Sequence, residues 1–196
     1  MADGRIECGA RVFSGIPQVP EILALAPSTR RALFGEGVPE YFFYQRYSAE
    51  PDLSVIYLDE GTAFVRFGSD CRGMIGVDLA GGHVIHVEDG LRETISFVNK
   101  TVVNFTKTVR MLAGQFPYGA SLEGFEGSEV AADGICTIIR SADAEAMAPG
   151  SYWPGFAHEV AGWLYSMAEI LEWHQARPPS LSTARFESSR RTEGRR

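Results

Sequence analysis

The sequence predicts a fold that uses both helices and strands, with a β-rich middle between helical segments. Three observations predict it. The stretch Thr94–Leu112 begins as a strand and turns into a helix, with Val98, Val102, Phe105, Val109 and Leu112 at i, i+4, i+7, i+11 and i+14 along one apolar stripe. Ile75, Val77 and Leu79 alternate with Gly76 and Asp78, and after Ala80-Gly81-Gly82 the segment His83–Glu88 returns as a hairpin partner. Phe156, Val160, Trp163, Leu164, Met167, Ile170 and Leu171 then repeat at helical spacing near the C-terminus.

Taken in order, residues 1–16 are weakly patterned, a short strand or a loose arm. Two proline-started helical pieces follow between Pro17 and Phe34. Ile22, Leu23 and Leu25 give the first its apolar side, and Ser28 can cap the second, with Leu33 and Phe34 facing inward. Gly35, Gly37 and Pro39 stop the helix. Tyr41–Tyr47 is dense in aromatics, and Val55–Leu58 is a short apolar run of the kind a buried strand carries. In Thr62–Phe67, Ala63, Val65 and Phe67 point one way and Arg66 the other. Asn99 stands where the N-cap of the following helix belongs, its side-chain oxygen able to accept from an early N–H. Gly114 fits a left-handed C-cap, which places Lys107 and Arg110 in the last turns, where positive charge is favoured. Lys100 sits at the unfavourable end. After a loop from Gly114 to Gly127, Ser128 caps a helix through Arg140, weakened by about 1 kcal/mol at Gly134. The last helix starts near Ser151, with Pro154 tolerated in its first turn.

At 196 residues and 45% hydrophobic composition the chain suits one domain, read as residues 1–176. Residues 177–196, rich in proline, serine and arginine, read as a disordered tail, since they cannot bury enough apolar surface to offset chain entropy. The formal charge is −7, and Arg185, Arg190, Arg191, Arg195 and Arg196 against Glu187 and Glu193 give the tail after Arg177 a balance of +3, leaving −10 on the rest. Such a body disfavours nucleic acid and anionic membrane and favours a basic partner, although an acidic surface also serves solubility alone. Three scattered cysteines, Cys8, Cys71 and Cys136, without C-x-x-C, point to a reducing cytosol. No secretory pattern opens the chain and no apolar run approaches the ~20 residues needed to span a bilayer.

The search for chemistry returns little. His83 and His86, three apart on a strand, point to opposite faces and cannot share one metal ion. His158-Glu159 begins an H-E-x-x-H motif, but Gly162 stands where the second ligand belongs. Cys71 lies between Asp70 and Arg72, whose effects on a thiol oppose each other, so a passive surface thiol is the default. Asp59-Glu60 reads as a polar turn between strands. Neither a nucleophile elbow nor a phosphate-binding glycine loop is present. These readings predict no catalytic residue, no metal site and no cofactor. Tyr152-Trp153 and the Tyr41–Tyr47 aromatics are assigned to core packing ahead of stacking on a base or partner.

Four segments together resemble the SUKH superfamily, and within it the fourth immunity-protein subgroup common in actinobacterial genomes. LAPSTRRALFGEGVP (Leu25–Pro39) is similar to the family's helix with its G-L-P-type stop. Phe67-Gly68 through Ile75-Gly76-Val77-Asp78 to Gly82-His83-Val84 is similar to its central hairpin, Phe97-Val98-Asn99 with Phe105 to its F-V-N signature, and Tyr152-Trp153 before Glu159 to its final helix. Lys100 departs from the family's usual serine. The resemblance implies an α+β domain whose central sheet, of about five or six strands, mixed or mostly antiparallel, is packed by helices, and an immunity protein that neutralises a cognate bacterial toxin, often a nuclease or nucleic-acid deaminase. We expect it to act in the cytoplasm without catalysis, occluding the toxin as a monomer or weak homodimer. It assigns Gly37, Pro39, Asp78, Gly82, Phe97, Asn99, Phe105 and Trp153 to the fold. For the partner surface we expect exposed acids near strand ends (Asp52, Asp59, Glu60, Asp70) and loop aromatics (Phe116, Tyr118, Phe125). The alternative is a regulatory module of the same fold that holds a cellular protein or a small ligand.

Overall fold

A computed structural model of the chain describes residues 8–14, 19–42, 46–58, 61–90, 94–115 and 125–161. Its centre is a six-stranded sheet in the order β1 (Tyr41–Phe42), β2 (Tyr47–Tyr57), β3 (Ala63–Ser69), β4 (Gly73–Asp78), β5 (Val84–Glu88) and β6 (Thr94–Asn99). Every pairing is antiparallel and every neighbour in space is a neighbour in sequence. Short connections leave successive strands no other way to pair. This is the predicted α+β class, with no parallel pair among the described strands.

The predicted hairpin is β4–β5. The Asp78 carboxylate accepts from the backbone N–H of Ala80 at 3.0 Å and of Gly81 at 2.7 Å, closing the turn on itself. Gly82 completes it at φ +72°, a conformation that a β-carbon would strain. The expected buried strand Val55–Leu58 is instead the end of the long β2. Val55 and Ile56 are half-buried, Tyr57 is exposed, and Leu58 follows the strand. A register shift between Ala49 and Ser54 kinks β2, so one face of it cannot stay against the core along its length.

Five helices are described. α1 (Pro20–Ala24) and α2 (Pro27–Arg31) each start on a proline at the first helical position, where the missing N–H is harmless. Ser28 therefore lies inside α2 and caps nothing; the N-cap position is Ala26. α2 runs into a π-helical turn, Ala32–Glu36, closed by the Gly37 N–H donating to the Ala32 carbonyl at 2.8 Å. Gly37 leaves it at φ +77°, where an added β-carbon would stand 3.0 Å from the Arg11 carbonyl oxygen.

α3 (Val102–Gly114) carries the predicted stripe, and Val102, Phe105, Val109 and Leu112 are all buried. Its ends differ from expectation. Thr101, not Asn99, is the N-cap, its hydroxyl accepting from the Asn104 N–H at 3.1 Å. Asn99 is still in β6 and is wholly buried. Gly114 remains helical, so Lys107 and Arg110 lie in the body of α3 rather than its last turn. α4 (Phe125–Ala142) starts before Ser128. A 3-10 turn (Ala144–Met147) leads to α5 (Tyr152–Ala161), which has Pro154 in its first turn as predicted.

The main core joins the helices to one face of the sheet: Val65, Phe67, Ile75, Val77, Val84 and Val98 meet the α3 stripe, Ile135 and Ile139 of α4, and Trp153 and Phe156 of α5. Tyr47, Phe67 and Phe105 pack edge to face at its centre, with centroids 5.0 to 6.3 Å apart. A smaller cluster of Leu58, Phe64, Ile85 and Val87 lies on the other face. The tail at 177–196, the end of the assigned domain near residue 176, and the helical positions from Trp163 onward all lie outside the described residues.

Candidate functional site

Among the described residues, two hydrogen-bonded networks of buried side chains lie where the first turn of α5 meets the sheet, entered by the adjacent residues Tyr152 and Trp153. The first lies at the β3–β4 hairpin. Asp70 closes that turn, its Oδ1 accepting from the backbone N–H of Arg72 and of Gly73, each at 2.8 Å. The same oxygen lies 3.0 Å from Nε2 of His86, which β5 presents on the core face opposite Ile75. Oδ2 lies 3.1 Å from the Tyr152 hydroxyl. That hydroxyl is also 2.9 Å from the Arg46 carbonyl, and its one proton serves one acceptor at a time. Arg46 is itself buried and paired with Glu159 of α5, its guanidinium 5.8 Å from the centre of the Phe156 ring.

The side chains of His86 and Asp70 are 2% and 0% exposed. Burial alone would raise the Asp70 pKa, but the hydrogen bond and charge of His86, the Arg72 N–H and the Tyr152 hydroxyl outweigh it and hold the carboxyl below the usual aspartate value. Burial, reinforced by the negative Asp70, pushes the Tyr152 phenol well above its ordinary value. A His–Asp pair is the constellation of a general base. Here both carboxylate oxygens are occupied and the imidazole is sealed under Tyr152, whose ring centre is 5.2 Å away. The arrangement fixes a hairpin to a helix and offers no surface to a substrate.

The second network lies at the end of β6. Asn99 accepts from the Trp153 indole N–H at 3.1 Å and donates to Asp143 at 3.2 Å and to Thr108 at 3.4 Å. Asp143 takes a further bond from the Lys100 backbone N–H at 2.6 Å. Asn99, Thr108 and Asp143 are buried, and the buried amide reaches three neighbours at once. Lys100, unexpected from the resemblance, pairs at the surface with Glu145 at 2.9 Å, which raises its pKa.

Of the acids expected to meet a partner, Asp52 and Asp70 are described, and they do not share one exposed patch. Asp52 is exposed, in the kinked stretch of β2. The Asp70 side chain is not exposed: it is the anchor of the first network, because a carboxylate at the start of a tight turn finds backbone donors two and three residues on, nearer than any partner. Asp59, Glu60, Phe116 and Tyr118 lie outside the described residues, and Phe125 is described only as the first residue of α4. In a meander successive connections alternate ends, so Leu58 and Gly61, flanking the β2–β3 connection, stand at the opposite end of the sheet from Asp70.

The residues assigned to the fold are placed within it. Gly37, Asp78 and Gly82 make turns, Pro39 is buried beside the Arg11–Val38 bridge, and Phe97 packs on the His83 ring at 5.6 Å. Phe105 and Trp153 are core residues. Cys71 is exposed, while burial pushes the Cys8 thiol up to about 11 despite a nearby Arg110. His83 lies apart from His86, with Nδ1 at 3.2 Å from the Lys100 carbonyl oxygen, and among the described residues no three His, Cys, Asp or Glu side chains converge for a metal.

Sequence reasoning missed Arg46, Asp143 and the pairing of His86 with Asp70, all long-range contacts without a local motif. The chain matches no family model, no curated protein and no solved structure.

Proposed function

We propose that this protein is a non-catalytic inhibitor that binds a basic protein toxin in the cytoplasm and neutralises it by covering its working surface. This is the role implied by the resemblance to the SUKH immunity proteins, and a nuclease or nucleic-acid deaminase, built to hold a polyanion, is the toxin chemistry that fits it best. The observation that carries the reading is charge. The chain bears −7, and Asp52, Asp89, Glu129 and Asp133 are exposed among the described residues. Complementary fields speed encounter by about 10–10³-fold and favour partners of opposite sign. The sealed state of Asp70 and His86 supports binding over turnover. No helix among the described residues is long and apolar enough to cross a membrane. A one-to-one interface would bury roughly 1,600 Å² in total.

The test is co-expression with the product of the adjacent gene, followed by co-purification across a salt series. The expected result is a complex that protects the host from that product and associates more slowly as salt rises. Asp52→Lys should slow association further. Full toxicity in the presence of the folded protein would overturn the proposal.

A further inference from the structure

We propose that β6 is the surface through which two copies of this chain pair, edge to edge and antiparallel, about a two-fold axis at Ser96. The sheet ends on β1 at one side and on β6 at the other. β1 is two residues long, too short to template a neighbour. β6 has six residues, and its first four, Thr94-Ile95-Ser96-Phe97, carry neither charge nor proline, two of the devices that keep an edge from pairing. The register shift against β5, a third such device, falls after Phe97. Thr94 and Ile95 are exposed, Ile95 by 47%, and Ser96 and Phe97 are half-buried.

The alternation of the ladder fixes which backbone groups point out of this edge. The Asp78 N–H donates to the His83 carbonyl at 2.9 Å, and the Asp89 N–H to the Arg72 carbonyl at 2.8 Å. His83, Ile85, Val87 and Asp89 therefore turn their backbone groups towards β4. The residues between them, His86 and Glu88, turn theirs towards β6, where they stand opposite Ser96 and Thr94. Ile95 and Phe97 are then the residues whose N–H and C=O groups face away from the sheet, and no backbone group among the described residues outside the sheet bonds to them.

A second copy is the occupant that uses this row fully. With the axis at Ser96, Ile95 of each copy stands opposite Phe97 of the other, and each such pair exchanges both backbone bonds. Ile95 and Phe97 share one face, two residues apart, so the same register sets a β-branched side chain against an aromatic one twice, a favourable cross-strand pair. Ser96 meets Ser96 in the close, non-hydrogen-bonded position, where a small side chain fits. Moving the axis to Phe97 would set Ile95 against Asn99, beyond the register shift, and moving it to Ile95 would set Phe97 against the acidic Glu93. One short strand on another falls below the ~1,200 Å² of a standard interface, so the dimer is weak and depends on concentration. Each copy carries −7, and salt screens that repulsion. Rising salt therefore tightens this pairing, whereas it slows association with a basic toxin.

The full chain would be followed by sedimentation equilibrium over a concentration series at low and high salt. A monomer–dimer equilibrium that tightens with salt is expected. Ile95→Lys, which sets a charge on the edge, should weaken the dimer at least about tenfold with the melting temperature kept. Val103→Lys, on the exposed side of α3, should leave it unchanged. The register has its own readout in a Cys71→Ser background, which removes the exposed thiol. Under mild oxidation Ser96→Cys should form a disulfide-linked dimer faster than Thr94→Cys, since only position 96 meets itself. A chain that stays monomeric throughout, a dimer that Ile95→Lys leaves intact or Val103→Lys dissolves, a dimer loosened by salt, or cross-linking no faster at position 96 than at 94 would each overturn the assignment.

Discussion

Thr106 and Thr108 are two residues apart on the same helix, both buried, and their hydroxyls meet opposite fates. At 3.6 residues per turn they point to nearly opposite sides of α3. Thr108 faces the sheet and joins the network of Asn99, Asp143 and Trp153. The Thr106 hydroxyl lies away from that network, is closed to solvent and has no partner among the described residues. The difference separates two uses of buried polarity. A polar group answered inside the protein specifies how elements dock, whereas one left unanswered only costs stability.

The sharpest way to break the comparison is Asn99→Ala. It removes the acceptor of the Trp153 indole and the donor to Asp143, leaving two buried groups short of partners. We expect a loss of about 3 kcal/mol in urea unfolding, since each stranded buried group costs about 1–3 kcal/mol. A loss near 1 kcal/mol, the size of a missing helix cap, would mean that the buried network contributes little.

Next in size is Asp70→Asn, expected to cost about 2 kcal/mol at neutral pH because a charge-assisted acceptor is replaced by an amide that must strand one of its bonds. The pH dependence carries the sign. The folded pKa of Asp70 is lowered, so its contribution is fully present above the ordinary value of 3.8 and is lost as the pH falls through the folded value. The gap between wild type and variant should narrow as the pH falls below 3.8. A gap that fails to narrow there would contradict the assignment of an ionised Asp70.

Thr101→Ala comes third, at about 1 kcal/mol by chemical unfolding, through the lost N-cap. It also marks how far the sequence could be read. The apolar stripe of α3, the β4–β5 hairpin and the proline in the first turn of α5 were legible, because each is set by residues within one or two turns of chain. The cap was misplaced by two positions, since Asn99 and Thr101 are both good capping residues and only the reach of β6 decides between them. Asp70 was legible as a turn acid but not as a buried one, because His86 and Tyr152 arrive from 16 and 82 residues away. Thr106 gave no signal at all: an orphaned hydroxyl is defined by what fails to come near it, and no spacing rule encodes that.

Thr106→Val is the smallest expected effect and the one that separates the two threonines. Valine keeps the β-branched shape and removes the hydroxyl alone. At a position where the hydroxyl is bonded, the change strands a partner and destabilises; at Thr106 it removes a buried polar atom that nothing answers. Stability should stay level or rise by up to about 1 kcal/mol in urea unfolding. The same substitution at Thr108 should lower it by about 1 kcal/mol, through the bond lost to Asn99. The opposite signs, two residues apart on one helix, are what the comparison requires. Equal losses at both positions would mean that Thr106 is answered inside the fold after all.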